Sequence, residues 1–555
     1  MTTFKSSEFT ARGVNRREFL HRTLTTGAVL LVPAHLGATG APAANAVSRS
    51  GVSTRQDQDE LFELSVAELV DRMEKGAVTS RALTQRYLDR IEALDRSGPT
   101  LRSVVEVNPD ALAIADERDT ERKAGRIRGP LHGIPVLIKD NIDTADRMKT
   151  TAGSLALADH TAARDAFVVY RLREAGAVLL GKTNLSEWAN FRSTRSSSGW
   201  SARGGQTRNP YVLDRNPCGS SAGTGSAIST DLATVGIGTE TDGSIICPAA
   251  INGLVGVKPT VGLWSRSGII PISASQDTAE PMARTVTDAA ALLAPLMGND
   301  PRDAMSARGM RAASSDFVAS LNASSLKGAR IGVARSTAGF NPDVDKVFGE
   351  ALAAIRNAGA TIVDPANIAG GDTIGEPEFD VLLYEFKEGL NAYLSTTGPS
   401  VKVKSLKDVI AFNERERERE MPWFGQEILI RAQEKTPTKA AYRKARAECI
   451  RLSRTLGIDA TLAKHKLDAI VLPSNQPAWT TDHLNGDHFT GGSTTFAAVA
   501  GYPSVTVPMG VVHELPIGIS FVGPAWSDQL LMSLAYAFEQ ATKARRSPKF
   551  LRTVG

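Results

Sequence analysis

Short apolar runs recur along this 555-residue chain, and each ends in a polar or glycine-rich turn. Residues 136–139, 177–180 and 233–237 read as buried strands, as do 331–334, 360–363, 469–472, 504–507 and 519–522. The stretch 331–363 reads strand, helix, strand, which is the parallel crossover unit. Near the start, Ser65 and Glu68 form a capping box, so a helix is predicted from there to about Gly76. Thr79 or Ser80 caps a second helix, with Leu83, Tyr87 and Ile91 on one face. Residues 370–450 are more helical and more charged. There Glu and Arg alternate from Glu414 to Glu420, the pattern of a solvated helix face with i,i+3 pairs. Trp423 and Phe424 fit either an apolar pocket wall or the core. The coarse class is α/β, a large sheet covered by helices, without internal repeats.

Composition narrows this only modestly. The chain is 42% hydrophobic and 22% charged, with a formal charge of +4 and no basic cluster on a readable helix. Nucleic acid is not implied. Three Cys cannot make a disulfide scaffold, and the fold is expected to lack disulfides. No run of 18 apolar residues is present, so no membrane span or stable membrane association is expected. Residues 1–46 stand apart. Asn15-Arg16-Arg17-Glu18-Phe19-Leu20 resembles a twin-arginine export signal; a weakly apolar stretch and Ala44-Asn45-Ala46, an A-x-A-type cleavage site, follow it. Residues 47–60 read as a polar leader. The expected partner is the twin-arginine export machinery, and the expected location is periplasmic or extracellular.

Three segments carry candidate chemistry. Lys139 ends the apolar run IPVLIK; Ser220 and Ser221 lie in CGSSAGTGS; Ser244 lies in GTETDGSIICP. A serine attacks acyl carbon only if something takes its proton. A buried lysine can do so if its pKa falls by more than about 3 units, at a cost of roughly 4 kcal/mol. Gly243 lets the backbone approach a substrate closely, and successive N–H groups at Thr241-Asp242-Gly243 point to an oxyanion site.

Other motifs compete. Gly219-Ser220-Ser221-Ala222-Gly223 fits the G-x-S-x-G elbow, which would make Ser221 the nucleophile with a His from among His465, His483, His488 and His513. However, Asn216-Pro217-Cys218 precedes it rather than a strand. Gly176 to Thr183 fits the P-loop pattern, but its middle is an apolar strand. Asp482-His483 and Asp487-His488 match no zinc spacing. No metal or organic cofactor is expected.

These long motifs, above all TETDGSIICPAAINGLVGVKPTVGLWSRSGIIPISASQD from Thr239, resemble the amidase signature family of serine hydrolases, and within it the peptide amidase branch. The resemblance runs from about residue 61 to 541, and a catalytic domain is assigned to 61–545. It implies a single large α/β/α domain around a central mixed twisted sheet. It also implies a Ser-Ser-Lys triad: Ser244 as acylated nucleophile, Ser220 as bridging serine after a cis peptide bond, and Lys139 as base. Thr241, Asp242 and Gly243 would form the oxyanion and substrate loop, and Asp140 would be structural. The implied reaction is hydrolysis of carboxamides, with C-terminal peptide amides favoured over small aromatic or aliphatic amides and esters. An inactive binding protein of this fold would not need all three triad positions, and a tRNA-amidating subunit would not be exported. Three departures stand out. Cys218 occupies a usual Gly position, Glu240 and Asp242 replace a commoner Asp and Gly, and Glu280 replaces a Gly that would serve a positive φ or close packing.

Overall fold

The computed structural model describes residues 59–312 and 316–554. The export-signal reading at 1–46, and nearly all of the leader, lie outside them. Both predicted N-terminal helices form. Ser65 accepts from the Glu68 N–H ahead of helix Val66–Glu74, and Glu68 accepts in return from the Ser65 N–H at 2.8 Å. Thr79 caps helix Ser80–Arg90, whose Leu83 and Tyr87, with Ile91 just beyond, are buried.

Among the described residues thirteen strands follow in chain order: β1 Val104–Val107, β2 Pro135–Lys139, β3 Val178–Thr183, β4 Trp200–Ser201, β5 Gly205–Gln206, β6 Val235–Glu240 and β7 Val255–Lys258. Then come β8 Thr278–Ala283, β9 Arg330–Val333, β10 Thr361–Val363, β11 Ala469–Pro473, β12 Ser504–Val512 and β13 Leu515–Val522. Eleven form one mixed sheet in the order β1-β3-β2-β6-β8-β7-β12-β13-β11-β9-β10, and β4 and β5 make a separate ribbon. The predicted crossover unit is present: β9 and β10 pair in parallel on either side of helix Pro342–Asn357. Residues 370–450 are mostly helical, and Gly371–Ser395 is the longest element among the described residues.

Strands β3, β2 and β6 are parallel neighbours near one end of the sheet. Helices cover both faces, so these strands read as continuous apolar runs rather than alternating ones. Val136, Leu137, Ile138, Val235 and Ile237 are fully buried. Each such side chain contributes about 1.5–3 kcal/mol. In parallel α/β sheets ligands sit beyond the carboxyl ends of the strands. Here β2 ends in Lys139 and β6 runs into Thr241–Ser244.

Several expectations are revised. Cys218 and Cys247 are joined by a disulfide, leaving Cys449 free and buried. The count of three cysteines excluded a scaffold, not a single bridge. The Glu/Arg segment keeps its i,i+3 pairs, Arg417 with Glu414 at 2.5 Å and Arg419 with Glu416 at 3.6 Å. Glu420, however, is buried and accepts from Ser154 Oγ and the Leu155 N–H. Glu280 sits at a negative φ in regular β8 pairing, opposite Gly238. Among the described residues no helix is long and apolar enough to cross a membrane.

Candidate active site

Lys139 is fully buried at the end of β2. Its Nζ lies 2.7 Å from Ser220 Oγ, 2.9 Å from Thr239 Oγ1 and 3.1 Å from Thr239 O. Burial pulls its pKa from 10.5 to about 7, against the opposing pull of Glu280, Asp277 and Glu240. A lysine in that state is partly unprotonated at neutral pH. The neighbouring Asp140 is turned aside, bonded to Thr151 Oγ1 and to Arg203 Nη1 at 3.1 Å.

Ser220 follows a cis Gly219–Ser220 bond and immediately precedes Ser221, the cap residue of helix Ala222–Ser229. Its carbonyl accepts from the Ser186 N–H at 3.0 Å. Ser221 has a different task. It is fully buried, its Oγ donates to Thr239 O at 3.1 Å, and the Thr239 N–H donates to it at 3.2 Å. Ser221 therefore ties the loop to β6. Among the described residues no His hydrogen-bonds to Ser220, Ser221 or Ser244, which removes the support for the elbow reading.

The Ser244 turn is held from both sides. Glu240 Oε2 accepts from the N–H groups of Ile245 and Ile246, at 2.7 and 2.9 Å. The Asp242 carboxylate accepts from Thr494 Oγ1 at 2.5 Å and Thr495 Oγ1 at 2.7 Å. Thr241 Oγ1 donates to Asp277 at 2.6 Å. Gly243 has φ +79°, and a Cβ there would lie 2.9 Å from Thr494 Oγ1. Among the described residues, the N–H groups of Asp242, Gly243 and Ser244 find no acceptor. The three carboxylates thus pin the turn while its N–H groups stay available to a ligand oxygen. The Ser221 N–H donates to Ser244 O at 3.2 Å, so the two serine loops adjoin.

Both loops face a cavity of about 410 Å³ lined by Gly219, Gly243, Asp242 and the Cys218–Cys247 pair, with Trp479 and Phe489 among its walls. A second cavity of about 200 Å³, lined by Asn141, Thr239, Thr241 and Asp277, lies on the lysine side. Neither Trp423 nor Phe424 lines them. Trp423 is half-exposed and stacks on His483, while Phe424 packs in the core under Arg192. Lys182 of the P-loop-like segment is buried in β3 and donates to Thr150 Oγ1 at 3.0 Å, so it is unavailable to phosphate. Among the described residues no cluster of three or more His, Cys, Asp or Glu is arranged to hold a metal.

The sequence pointed to Lys139, Ser220, Ser244 and the 241–243 turn, and the fold gathers them around the ends of β2 and β6. It did not point to Thr239, which shares Lys139 with Ser220, or to the disulfide that flanks both loops. The signal for the disulfide was faint: each cysteine lies within three residues of a candidate serine.

Comparison with known proteins gives consistent matches. Residues 82–532 match the amidase family. The solved structure of native peptide amidase from Stenotrophomonas maltophilia is 52% identical, with TM-score 0.84, covering 88% of this chain and 99% of that one. An amidase family protein from Bacillus anthracis is 35% identical with TM-score 0.81, covering 91% and 96%. One component of the glutamyl-tRNA(Gln) amidotransferase from Acinetobacter baumannii is 34% identical over 497 residues, 87% of this chain and 97% of that one.

Proposed function

The chain belongs to the amidase family, and from that premise we propose that it hydrolyses C-terminal amides of peptides through an acyl-enzyme on Ser244. The observation that carries this reading is the 2.7 Å contact between Lys139 Nζ and Ser220 Oγ in a fully buried site without histidine. Neutral Lys139 takes the proton of Ser220 as Ser220 takes that of Ser244. The Ser244 oxygen then bonds to the amide carbon, and the carbonyl oxygen becomes an oxyanion facing the N–H groups of the 242–244 turn. As the C–N bond breaks, the proton returns through Ser220 to the nitrogen, which leaves as ammonia or amine. Water then attacks the acyl-enzyme along the same relay and releases the acid.

The peptide amide is favoured by the 52% identity to a peptide amidase, against 34% to the tRNA-linked amidotransferase component. The cavity of about 410 Å³ with aromatic walls also suits an acyl group larger than a simple aliphatic amide. Small amides and esters are the second reading, because ester cleavage needs the same nucleophile. A panel of peptide amides, anilides and matched esters tests the choice. Peptide amides are expected to give the highest kcat/KM, and a small amide that outpaces all of them would overturn it.

We further propose, from the twin-arginine-like segment around Arg16 and Arg17, that the enzyme is exported and acts outside the cytoplasm. The Cys218–Cys247 bridge supports this, since such bonds persist in oxidising compartments. Replacing Arg16 and Arg17 by Lys should leave unprocessed precursor inside the cell, and normal export of that variant would exclude the route.

A further inference from the structure

Glu280 is poorly matched to its surroundings. It is fully buried in β8, and neither carboxyl oxygen has a hydrogen-bond partner. Among the described residues, no other buried carboxyl has both oxygens unpaired. Such a group costs stability, and an apolar side chain would fill the place without that cost.

Its position in the sheet suggests why it is there. Glu280 stands opposite Gly238 of β6. β2 runs beside β6 with Ile138 opposite Ile237, so one residue further sets Lys139 beside Gly238. β7 pairs with β8 at Gly256 and Met282, and two residues further set Lys258 beside Glu280. Residues opposite one another in a sheet share a face. Lys139, Gly238, Glu280 and Lys258 thus form one row across four strands. Gly238 carries no side chain in the middle of the row, and the space over it is taken by Ile245 Cδ1 and Ser221 Oγ, which a Cβ there would meet at 2.3 and 2.7 Å.

The charges facing this row are few. Lys139 feels Glu280 from β8, then Asp277 from the turn before β8 and Glu240 from the end of β6. Asp277 is committed to Thr241 Oγ1 and to the N–H groups of Ile272 and Ser273. Glu240 is committed to Ile245 and Ile246. Lys258 donates to Tyr502 O at 3.0 Å and Pro259 O at 3.2 Å, and faces Glu240, Glu280, Asp528 and Asp242. Glu280 itself faces Glu240, Lys258, Lys139 and Asp277; burial and Glu240 push its carboxyl well above the usual range, while the two lysines pull it down. Of the acids around Lys139, Glu280 is the one whose two oxygens both lack a hydrogen bond; burial raises Asp277 to about 6 and also raises Glu240, so these two acids titrate beside it.

Resting on the lysine-base reading above, we propose that Glu280 is a positioning residue of the reaction: from the middle of this buried row its charge state, coupled to that of Lys139, sets the pH at which Lys139 is free to act as base. In a dry site two coupled groups titrate as a pair. An ionised Glu280 steadies the Lys139 ammonium, and a protonated one releases it. To the extent that the carboxyl is ionised, it therefore raises the pH at which the base loses its proton.

The test measures kcat/KM against pH for the wild type, Glu280→Gln, Glu280→Met, Glu280→Asp and Lys139→Ala, with melting temperatures. Removing the carboxyl should move the rising limb to lower pH by about 1 unit or more. One unit below the wild-type midpoint, the Gln and Met variants should then run roughly fivefold faster relative to their own plateaus. Glu280→Asp should keep the limb near its wild-type place. Glu280→Met should also melt at a higher temperature, because the unpaired oxygens are gone. A folded Gln or Met variant with the wild-type midpoint would overturn the proposal. The arms separate the two claims. A limb that survives Lys139→Ala would sink the lysine-base reading. A limb lost in Lys139→Ala but unmoved in the Glu280 variants would sink only the role of Glu280.

Discussion

Cys218 and Cys247, 29 residues apart, are bonded to each other, and the bond joins the segment carrying Ser220 to the segment carrying Ser244. Cys218 lies two residues before Ser220, and Cys247 lies three after Ser244. The two serine loops are thus braced covalently as well as by the Ser221 N–H to Ser244 O hydrogen bond.

Reduction, or replacement of both cysteines by Ser, should therefore lower both stability and rate. A closed loop of this size is worth about 3–4 kcal/mol on the chain-entropy account. Loss of positioning is expected to cost about tenfold or more in kcat. Thermal melts and amide turnover with and without a dithiol reductant check this. Equal melting temperature and equal rate after complete reduction would show that the bridge positions nothing.

Ser244→Ala should abolish labelling by a fluorophosphonate and leave the fold intact. Ser221→Ala should still be labelled at Ser244, although more slowly, because it removes the tie between the serine loop and Thr239. Peptide mapping of the labelled protein decides the point. A label found on Ser221 would revive the elbow reading.

Parallel strands β2 and β6 were legible because burial on both faces leaves runs made mostly of apolar residues and glycine. Lys139 stood out because it ended such a run. β8 was not legible. Its TAEPMA sequence has no apolar period, and Glu280 and Pro281 argue against a central strand. Only its neighbours β6 and β7 make it one. The disulfide was hidden for a related reason: pairing depends on two loops converging at strand ends, which a cysteine count does not report. Glu280 was visible as a departure, but its facing partners follow from strand order 2-6-8-7, which no local pattern encodes.

No histidine is expected to matter greatly for turnover. His160 illustrates why: its Nε2 lies 3.0 Å from the Tyr393 hydroxyl, and burial takes its pKa down to about 4. That describes a packed, neutral side chain. Each of the six His residues from His132 onward, changed singly to Ala, should keep amide hydrolysis within about tenfold of wild type. A folded variant slowed a thousandfold would place an imidazole in the mechanism.

Lys139 offers the sharpest test of the proposed chemistry. Its pKa of about 7 means that the ammonium dominates below neutrality and the free amine above it. The base form is the amine, so kcat/KM should rise with pH through about 7 and level off above. Lys139→Ala should remove that limb and slow amide hydrolysis by about 10³-fold or more. The loss should be smaller for a matched ester, because an alkoxide leaves without the proton return that an amide nitrogen needs. Ser220→Ala should also slow the enzyme, but less than Ser244→Ala, since it interrupts the relay without removing the atom that bonds to carbon. Steady-state kinetics on one amide and ester pair, across pH and these three variants, checks all of this. A folded Lys139→Ala enzyme with near wild-type amide turnover and an unchanged pH profile would exclude the lysine as base.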